Sequence, residues 1–531
     1  MRVRYKNLFA FTGDAALPLM ESFVVEDGRI VPDDAPADRE VDLAGGFVTP
    51  LFSDQHTHPS YVAQTLSALA ALPPDVLSIE DLVEGLVRKK DELPEDAWIE
   101  AWGYDESLLK ENRSPTRHDL DRVATDRPVF VRRSDCHSAV VNTYLLKAAG
   151  IDRTTPDPEG GRFGRDASGE PDGRLIETAA VRRVERLRKK EDFEGNVRRM
   201  CALGEHYLSR GIGFVTEMMC ERGEKDLLPV YRAARKAGLP LAVGMYLIWQ
   251  GGINPYGMPD FTEDDKTGPV RYAGLKVFAD GSISGKTAAI RGRYLGLSDD
   301  EDPQGTMCVT HEVFRAALAW ARRNGVQLSV HVMGDRSIDR ILDWLEGEEP
   351  WLENEPSVRL EHVSYLRPDH LEHIDDMNFP VAMTTQPVFP FAEWKGYEEA
   401  IPRTMIDEGY AVKMIASRTP AFALSSDAPA TTWADPDQPF VTIAAAVTRR
   451  DARGVPFGEA EAVDVATALS LYTSRAAKVT DLGTTGLLLL GEAADFVLWS
   501  ANPFEIPKEE LADIRARRVW KAGELLWEAE D

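Results

Sequence analysis

Cysteine is scarce. The chain has four in 531 residues, at positions 136, 201, 220 and 308, far apart and without paired spacing. That excludes a disulfide framework and a thiolate metal site, and leaves four residues expected to be reduced and buried. Long apolar runs are absent too, so no segment reads as a membrane span. The opening residues, MRVRYKNLFAFTGD, lack the apolar core and small-residue cleavage site of a signal peptide, and none is expected. Positive charge is short: 61 Lys and Arg stand against 88 Asp and Glu, for a net charge of −27. Nucleic acid and anionic membranes both need a basic face and are excluded as partners. The expectation is a cytoplasmic protein acting on a small-molecule substrate. The acidic excess is spread along the chain, with clusters such as LSDDEDPQG and EGEEPWLENE, and Arg outnumbers Lys. Such a surface repels itself unless salt screens it, so a halophilic protein is expected.

What is present is enough apolar material, 43% of residues, for a large core. The length suggests two to four structural units. Residues 1–47 read as short strands, with SFVVEDGRIV forming two apolar runs around an Asp-Gly turn. The C-terminal ADFVLWS and RRVWKAGELLW read the same way, so both ends are expected to pair in one small sheet domain. Between them, apolar strands alternate with helices: IGFVTE, LAVGMYL, YAGLKVFADG, VQLSVHVMGD, VRLEHVSY, FPVAMTTQP and AFALSSDAP. With GGFVTPLFSDQH as the first, there are eight. Apolar strands separated by helices are parallel and buried on both faces, and eight such units predict a TIM barrel, an α/β fold, ahead of a doubly wound sheet. Residues from about 70 to 190 break the rhythm with helical patterns, a strand-like RPVFVRR and a Gly/Asp/Pro-rich loop. They read as an insertion over the barrel mouth, placed to act as a lid.

The histidines are few, ten in all, yet VTPLFSDQHTHPS ends a strand with two of them, His56 and His58. On a strand, positions i and i+2 face one side, so both rings can reach one ion. The fourth strand carries Lys276, the fifth ends at His331, the sixth at His362 and the eighth at Asp427. Barrel strands open their C-terminal ends onto one face, where active sites sit. Taken singly, each residue has an ordinary explanation: a core histidine, a helix cap at Asp427, a pair between Lys276 and Asp280. Those explanations do not predict one acceptable ligand at the end of strand after strand. Histidine with carboxylate suits zinc or another divalent transition metal. A buried Lys276 loses basicity. As a neutral amine it can take up carbon dioxide, and the resulting carbamate has two oxygens able to bridge two metals.

These residues, in this order, resemble the amidohydrolase superfamily, in the branch of N-substituted formamide deformylase and YtcJ-like proteins. The resemblance runs through most of the chain: FSDQHTHPS, AWGYDESLL, SPTRHDLD, RPVFVRRSDCHSAVVNTYLLKAAGI, GLKVFADGSISGKTAAI, HVMGD, LEHVSYLRPDHL, TTQPVFP, SSDAPATTWADPDQPFVTIAAAVTRR and LLLLGEAADFVLW. It implies a metal-binding TIM barrel over 48–482 and a composite β-sandwich from 1–47 and 483–531. It also implies one or two divalent metals, most commonly Zn2+, with His56, His58 and Asp427 on one, His331 and His362 on the other, and a carboxylated Lys276 as bridge. Tyr104, Asp105, His137 and Ser282 are the implied substrate-binding candidates, with local packing and capping as the alternative for Tyr104 and Asp105; Gln386, after the seventh strand, is a further candidate by its position. A homodimer is implied by the resemblance alone. Two departures touch recognition rather than the ligands: Cys136 stands before His137 where glycine is expected, and Lys286 where arginine is commoner.

The chemistry that follows is hydrolysis of an amide-like C–N bond, on N-acyl or N-formyl amines. A metal lowers the pKa of bound water towards about 7, giving hydroxide, and Asp427 serves as general base and then acid. A deaminase of the same superfamily would show a glutamate shortly after the fifth-strand histidine, where HVMGD has Asp335. A cyclic amidase shares the metal site. A catalytically silent barrel used for binding is disfavoured by an intact ligand set.

Overall fold

A computed structural model describes residues 1–32, 36–134, 137–189, 191–249, 258–298, 302–377 and 379–530. Eight parallel strands follow one another in sheet order: β1 (Phe52–Thr57), β2 (Ile212–Cys220), β3 (Ala242–Ile248), β4 (Val270–Phe278), β5 (Gln327–Val332), β6 (Val358–His362), β7 (Val381–Thr385) and β8 (Phe422–Leu424). These are the eight apolar runs of the sequence. Every residue of β6 and β7 is buried, as strands covered on both faces must be.

The ladder is open only between β8 and β1, and hydrogen bonds beyond the strands close that seam. Asp427 N–H donates to His56 O at 2.8 Å and His58 N–H to Ala428 O at 2.9 Å. Closure brings distant strands together. Lys276 on β4 and His56 on β1 have two strands between them, which in a flat sheet would separate them by about 14 Å. Their Nζ and Nε2 are 3.5 Å apart, because both point into the barrel.

The connecting helices carry their own punctuation. The helix His311–Asn324 starts at Thr310, whose side chain accepts from Val313 N–H at 3.3 Å, and stops at Gly325 with φ of 61°. Glu312 in its first turn and Arg322 and Arg323 in its last match the helix dipole. Ile338, Ile341, Leu342 and Leu345 bury one stripe of the helix Asp335–Leu345, at the spacing that faces a core. No helix of the described residues is long and apolar enough to cross a membrane.

Both ends of the chain meet in one seven-stranded sheet. Its order is Glu524–Glu528, Ala516–Lys521, Phe496–Trp499, Arg39–Pro50, Arg2–Ala10, Met20–Glu26 and Arg29–Val31. The two hairpins turn at Asp27-Gly28 and Ala522-Gly523, all four with positive φ, the geometry that lets a two-residue turn follow strand twist. Tyr5 and Trp520 lie on strands with two others between them, yet their rings are 5.8 Å apart. The sheet therefore curls on itself, and its two halves face each other across Tyr5, Phe23, Phe496 and Trp520.

The chain divides into two compact units. The barrel and the terminal sheet belong to the first; residues 61–199 with 432–435 form the second. The second has a six-stranded mixed sheet and apolar clusters of its own, one around Ile79, Leu82, Leu86 and Val129, another around Leu146, Phe163 and Val181. One sequence expectation needs correcting there. The Gly/Asp/Pro-rich stretch is not all loop: Arg162–Arg165 and Pro171–Ile176 pair as a hairpin. Asp166 holds its turn by accepting from Ser168 N–H at 2.8 Å and Glu170 N–H at 3.1 Å. Arms this short and polar leave no period-two pattern to read. The cysteines need correcting as well: Cys220 is buried, but Cys201 is only partly so and Cys308 is exposed, while Cys136 lies outside the described residues.

The curled sheet depends on large rings meeting from both halves. Trp520→Ala is expected to destabilise the protein by about 3–5 kcal/mol, with the loss read from denaturant unfolding. A loss under about 1 kcal/mol would mean that the facing halves contribute little.

Candidate metal centre

His56 closes β1 and His58 follows it, just before Pro59 opens the helix Pro59–Thr65. Proline is suited to a first helical position, so it ends the strand one residue after the second histidine. The rings lie 5.9 Å apart. His58 Nε2 is 2.9 Å and His56 Nε2 3.4 Å from the same oxygen, Asp427 Oδ1. Ring atoms of His56 and His58 and a carboxylate oxygen of Asp427 all lie within 4.8 Å of one another, as donors to one ion must. His362 packs 4.6 Å from His56, and His331 4.4 Å from His362, centroid to centroid. The six residues at the strand ends thus converge: four imidazoles, Lys276 and Asp427.

The ring nitrogens are sorted by what stands behind them. His56 Nδ1 faces Glu361 Oε2 at 2.6 Å, and His362 Nδ1 faces Gln386 Oε1 at 2.9 Å. Both nitrogens donate, which leaves each Nε2 with a lone pair. His331 does the reverse: its Nε2 donates to Gly281 O at 3.0 Å, leaving Nδ1. Fixing one nitrogen by a hydrogen bond presents the other, which is how a protein readies imidazole for a metal. The donor set is neutral nitrogen with carboxylate oxygen, and it fits a divalent ion such as zinc.

Electrostatics agree with neutral rings. Burial, aided by Lys276, pushes His56 down to about 4. Burial also lowers His331, with Lys276 adding to it, and holds His362 well below its usual value, with His331 and His56 adding. Burial would raise Asp427, but His56 and His58 overcome it and keep the carboxylate ionised. Lys276, 1% exposed, falls to about 8 because burial disfavours its charge. Asp280 is not paired with it in a lysine–carboxylate bridge. Its oxygens accept from Met333 N–H, Gly334 N–H, Ala289 N–H and the Ser337 hydroxyl, at 2.7–3.0 Å.

Two of these positions are strained. His362 has φ of 71° and Asp427 of 54°. Val363 N–H donates to Glu361 O at 2.9 Å, so His362 is the centre of a three-residue turn with positive φ. Such a backbone costs about 1–3 kcal/mol and persists where surrounding contacts hold it.

Beneath the cluster lies a buried network that the reading of the sequence passed over. Arg359 and Glu361, both fully buried, alternate along β6. Arg359 Nε lies 2.5 Å from Glu361 Oε1, which also accepts from the Ser329 hydroxyl at 2.7 Å. Oε2 accepts from Thr384 at 2.6 Å besides His56. Arg359 also donates to Thr480 Oγ1 at 2.7 Å, Tyr246 OH at 3.2 Å and Gln55 O. The signal for it in the sequence is two charges at i and i+2 in an apolar strand, VRLEH.

The remaining candidates separate. Gln386 is buried, with one end on His362 and its amide nitrogen donating to Ser425 Oγ at 2.8 Å, so it orients a histidine. Ser282 is exposed in the loop after β4, next to the Gly281 carbonyl that holds His331. Tyr104 is buried in the second unit's own core. Asp105 accepts from Ser107 N–H at 2.9 Å and the Ser134 hydroxyl at 3.3 Å, a local cap. His137 is exposed, its Nδ1 3.1 Å from Thr178 Oγ1. Asp339, Asp369 and His370 also cluster at ligand spacing, but Arg291 already fills them, with Nε 2.9 Å from Asp339 and Nη2 2.7 Å from Asp369.

The profile of the amidohydrolase family matches residues 39–526. This chain belongs to the amidohydrolase family. It is similar to N-substituted formamide deformylase of Arthrobacter pascens, at 27% identity over 97% of this chain and 96% of that protein. It is similar to YtcJ of Bacillus subtilis at 26%, over 93% of this chain and 91% of the relative. Among solved structures it resembles an uncharacterized metal-dependent hydrolase from Pyrococcus horikoshii, with a TM-score of 0.70, 25% identity, and 96% and 99% of the two chains covered.

Neutral buried rings make this member of the amidohydrolase family sensitive to acid. The unfolded chain binds protons on its histidines below about 6.5, while folded His56 waits until about 4. Stability of the metal-free protein is therefore expected to fall as pH drops from about 6.5 to about 4, by about 3 kcal/mol for His56 alone. The check is melting temperature against pH in chelator; a flat profile over that window would contradict neutral buried imidazoles. Glu361→Ala strands Arg359 as a buried unpaired charge and is expected to destabilise by about 3–5 kcal/mol in denaturant unfolding.

Proposed function

We propose that this metal-dependent hydrolase cleaves an amide-like C–N bond in an N-acyl or N-formyl amine. The observation that carries the reading is the convergence of His56, His58, His331, His362, Lys276 and Asp427 on one point of a barrel interior. His56, His58 and Asp427 would hold one divalent ion, with zinc suited to the donors, and His331 and His362 a second. Lys276 suits a bridging carbamate, since burial lowers it to about 8 and a fraction of its amine is neutral near neutral pH. The likeness in sequence to N-substituted formamide deformylase along nearly the whole chain supports the substrate class.

When bound, a divalent ion supplies Lewis acidity, which activates water and polarises a carbonyl. The chain's residues supply the rest. Asp427, kept ionised by His56 and His58, takes the proton of the attacking water at a carboxylate oxygen and returns it to the leaving nitrogen. An amine leaves poorly as an anion, so this proton delivery is what breaks the C–N bond. Glu361 and Gln386 keep His56 and His362 in the tautomers described.

The experiment is a screen of N-formyl and N-acyl amines on protein reconstituted with Zn2+, reading release of free amine. Turnover of esters or phosphates with no amide cleaved would overturn the substrate class. Asp427→Asn is expected to lower kcat by at least about 100-fold, in the range lost with a general acid–base group, while the fold stays intact by circular dichroism. Activity within a few-fold of the unsubstituted enzyme would remove Asp427 from the mechanism.

A further inference from the structure

The two histidines of the opening motif are held by different means. Behind His56 stands Glu361, whose Oε2 faces Nδ1 at 2.6 Å. His58 turns Nε2 to Asp427 at 2.9 Å, which leaves Nδ1 on the far side of its ring. On β2, the strand beside β1, Glu217 is fully buried. Its Oε2 accepts from Ser60 N–H at 2.7 Å and from the Tyr231 hydroxyl at 3.0 Å. Ser60 comes two residues after His58, so this oxygen fixes the turn that carries the imidazole. The other oxygen, Oε1, is equally buried and has no hydrogen-bond partner among the described residues. On the paired strands Glu217 stands in register with Thr57, the residue before His58. Burial pushes the Glu217 carboxyl up, and the His58 ring is the strongest influence opposing it. A buried carboxylate oxygen without a donor is costly, and the nearby imidazole has a donor to give.

We propose that Glu217 is a positioning residue whose Oε1 accepts the Nδ1 proton of His58 when Nε2 is turned to a divalent ion, so that each histidine of the motif has a carboxylate behind it. The proposal rests on the metal-binding reading above. A neutral ring that gives its Nε2 lone pair to an ion carries its one proton on Nδ1, and a buried N–H needs an acceptor. A carboxylate there fixes the tautomer, sets the ring plane and raises the basicity of Nε2. The bonds from Ser60 and Tyr231 occupy Oε2 and hold Glu217 in place for this task. A glutamine has one acceptor oxygen for both duties, so it must abandon either the turn or the ring.

The test is a Co2+ titration of chelator-stripped protein, read by its visible absorption band. Glu217→Gln is expected to bind Co2+ about 10- to 100-fold more weakly, with an altered band, while its metal-free melting temperature stays within a few degrees of the unsubstituted protein. Tyr231→Phe, which loosens the same carboxylate without removing Oε1, is expected to stay within about threefold, the size of one neutral hydrogen bond. Affinity within twofold in folded Glu217→Gln overturns the proposal, as does an equal loss in both variants, which would mark packing alone. If Glu217→Gln does not fold, a crystal structure of the Zn2+-loaded unsubstituted protein decides. Oε1 within about 3.2 Å of Nδ1 supports the proposal, and a separation beyond hydrogen-bond reach overturns it. Unsubstituted protein that binds no Co2+ overturns the metal-binding reading itself, a result distinct from either.

Discussion

The carboxylate of Glu361 is the pivot of the barrel interior. It accepts hydrogen bonds from the His56 ring N–H, the Arg359 guanidinium and the Ser329 and Thr384 hydroxyls, and nothing of it reaches water. Arg359 and His56 hold it ionised against the penalty of burial. Donors from β1, β5, β6 and β7 thereby meet at two oxygen atoms. A buried pair of this kind adds little net stability, but removing one partner is expensive. Its effect is geometric: it sets the tautomer of His56 and anchors the floor on which the other imidazoles stand.

Above that floor the backbone is bent to place side chains, not to relax. His362 and Asp427 both hold positive φ at the ends of β6 and β8. The bonds from Asp427 N–H to His56 O and from His58 N–H to Ala428 O close the barrel where its ladder is open. The closure that finishes the fold is thus the contact that sets Asp427 beside the two histidines. At Asp427 the positive φ and the closing seam fall at one place.

Burial also decides the charge state of the site. The same desolvation lowers His56, His331 and His362 and brings Lys276 down to about 8, so the cluster is rich in neutral imidazole and carries its negative charge on Asp427. That state favours a cation and disfavours protons, and it arises from where the barrel places these residues, since each titrates ordinarily in an unfolded chain.

The sequence by itself determined the eight parallel strands, the pairing of both chain ends, and the residue types at the strand ends. Those follow from local periodicity and turn residues, which act over a few positions: His56 and His58 share a face by strand geometry, and Asp27-Gly28 and Ala522-Gly523 turn their hairpins by backbone freedom. The short hairpin Arg162–Arg165 with Pro171–Ile176 escaped because its polar arms carry no such period. Only the tertiary structure decided which partner stands behind each imidazole. Glu361 lies 305 residues from His56 along the chain, and a hydrogen bond across a closed barrel depends on strand stagger that no local pattern encodes. For the same reason only the fold sets Gln386 behind His362 and Glu361, one of two charges in VRLEH, behind His56.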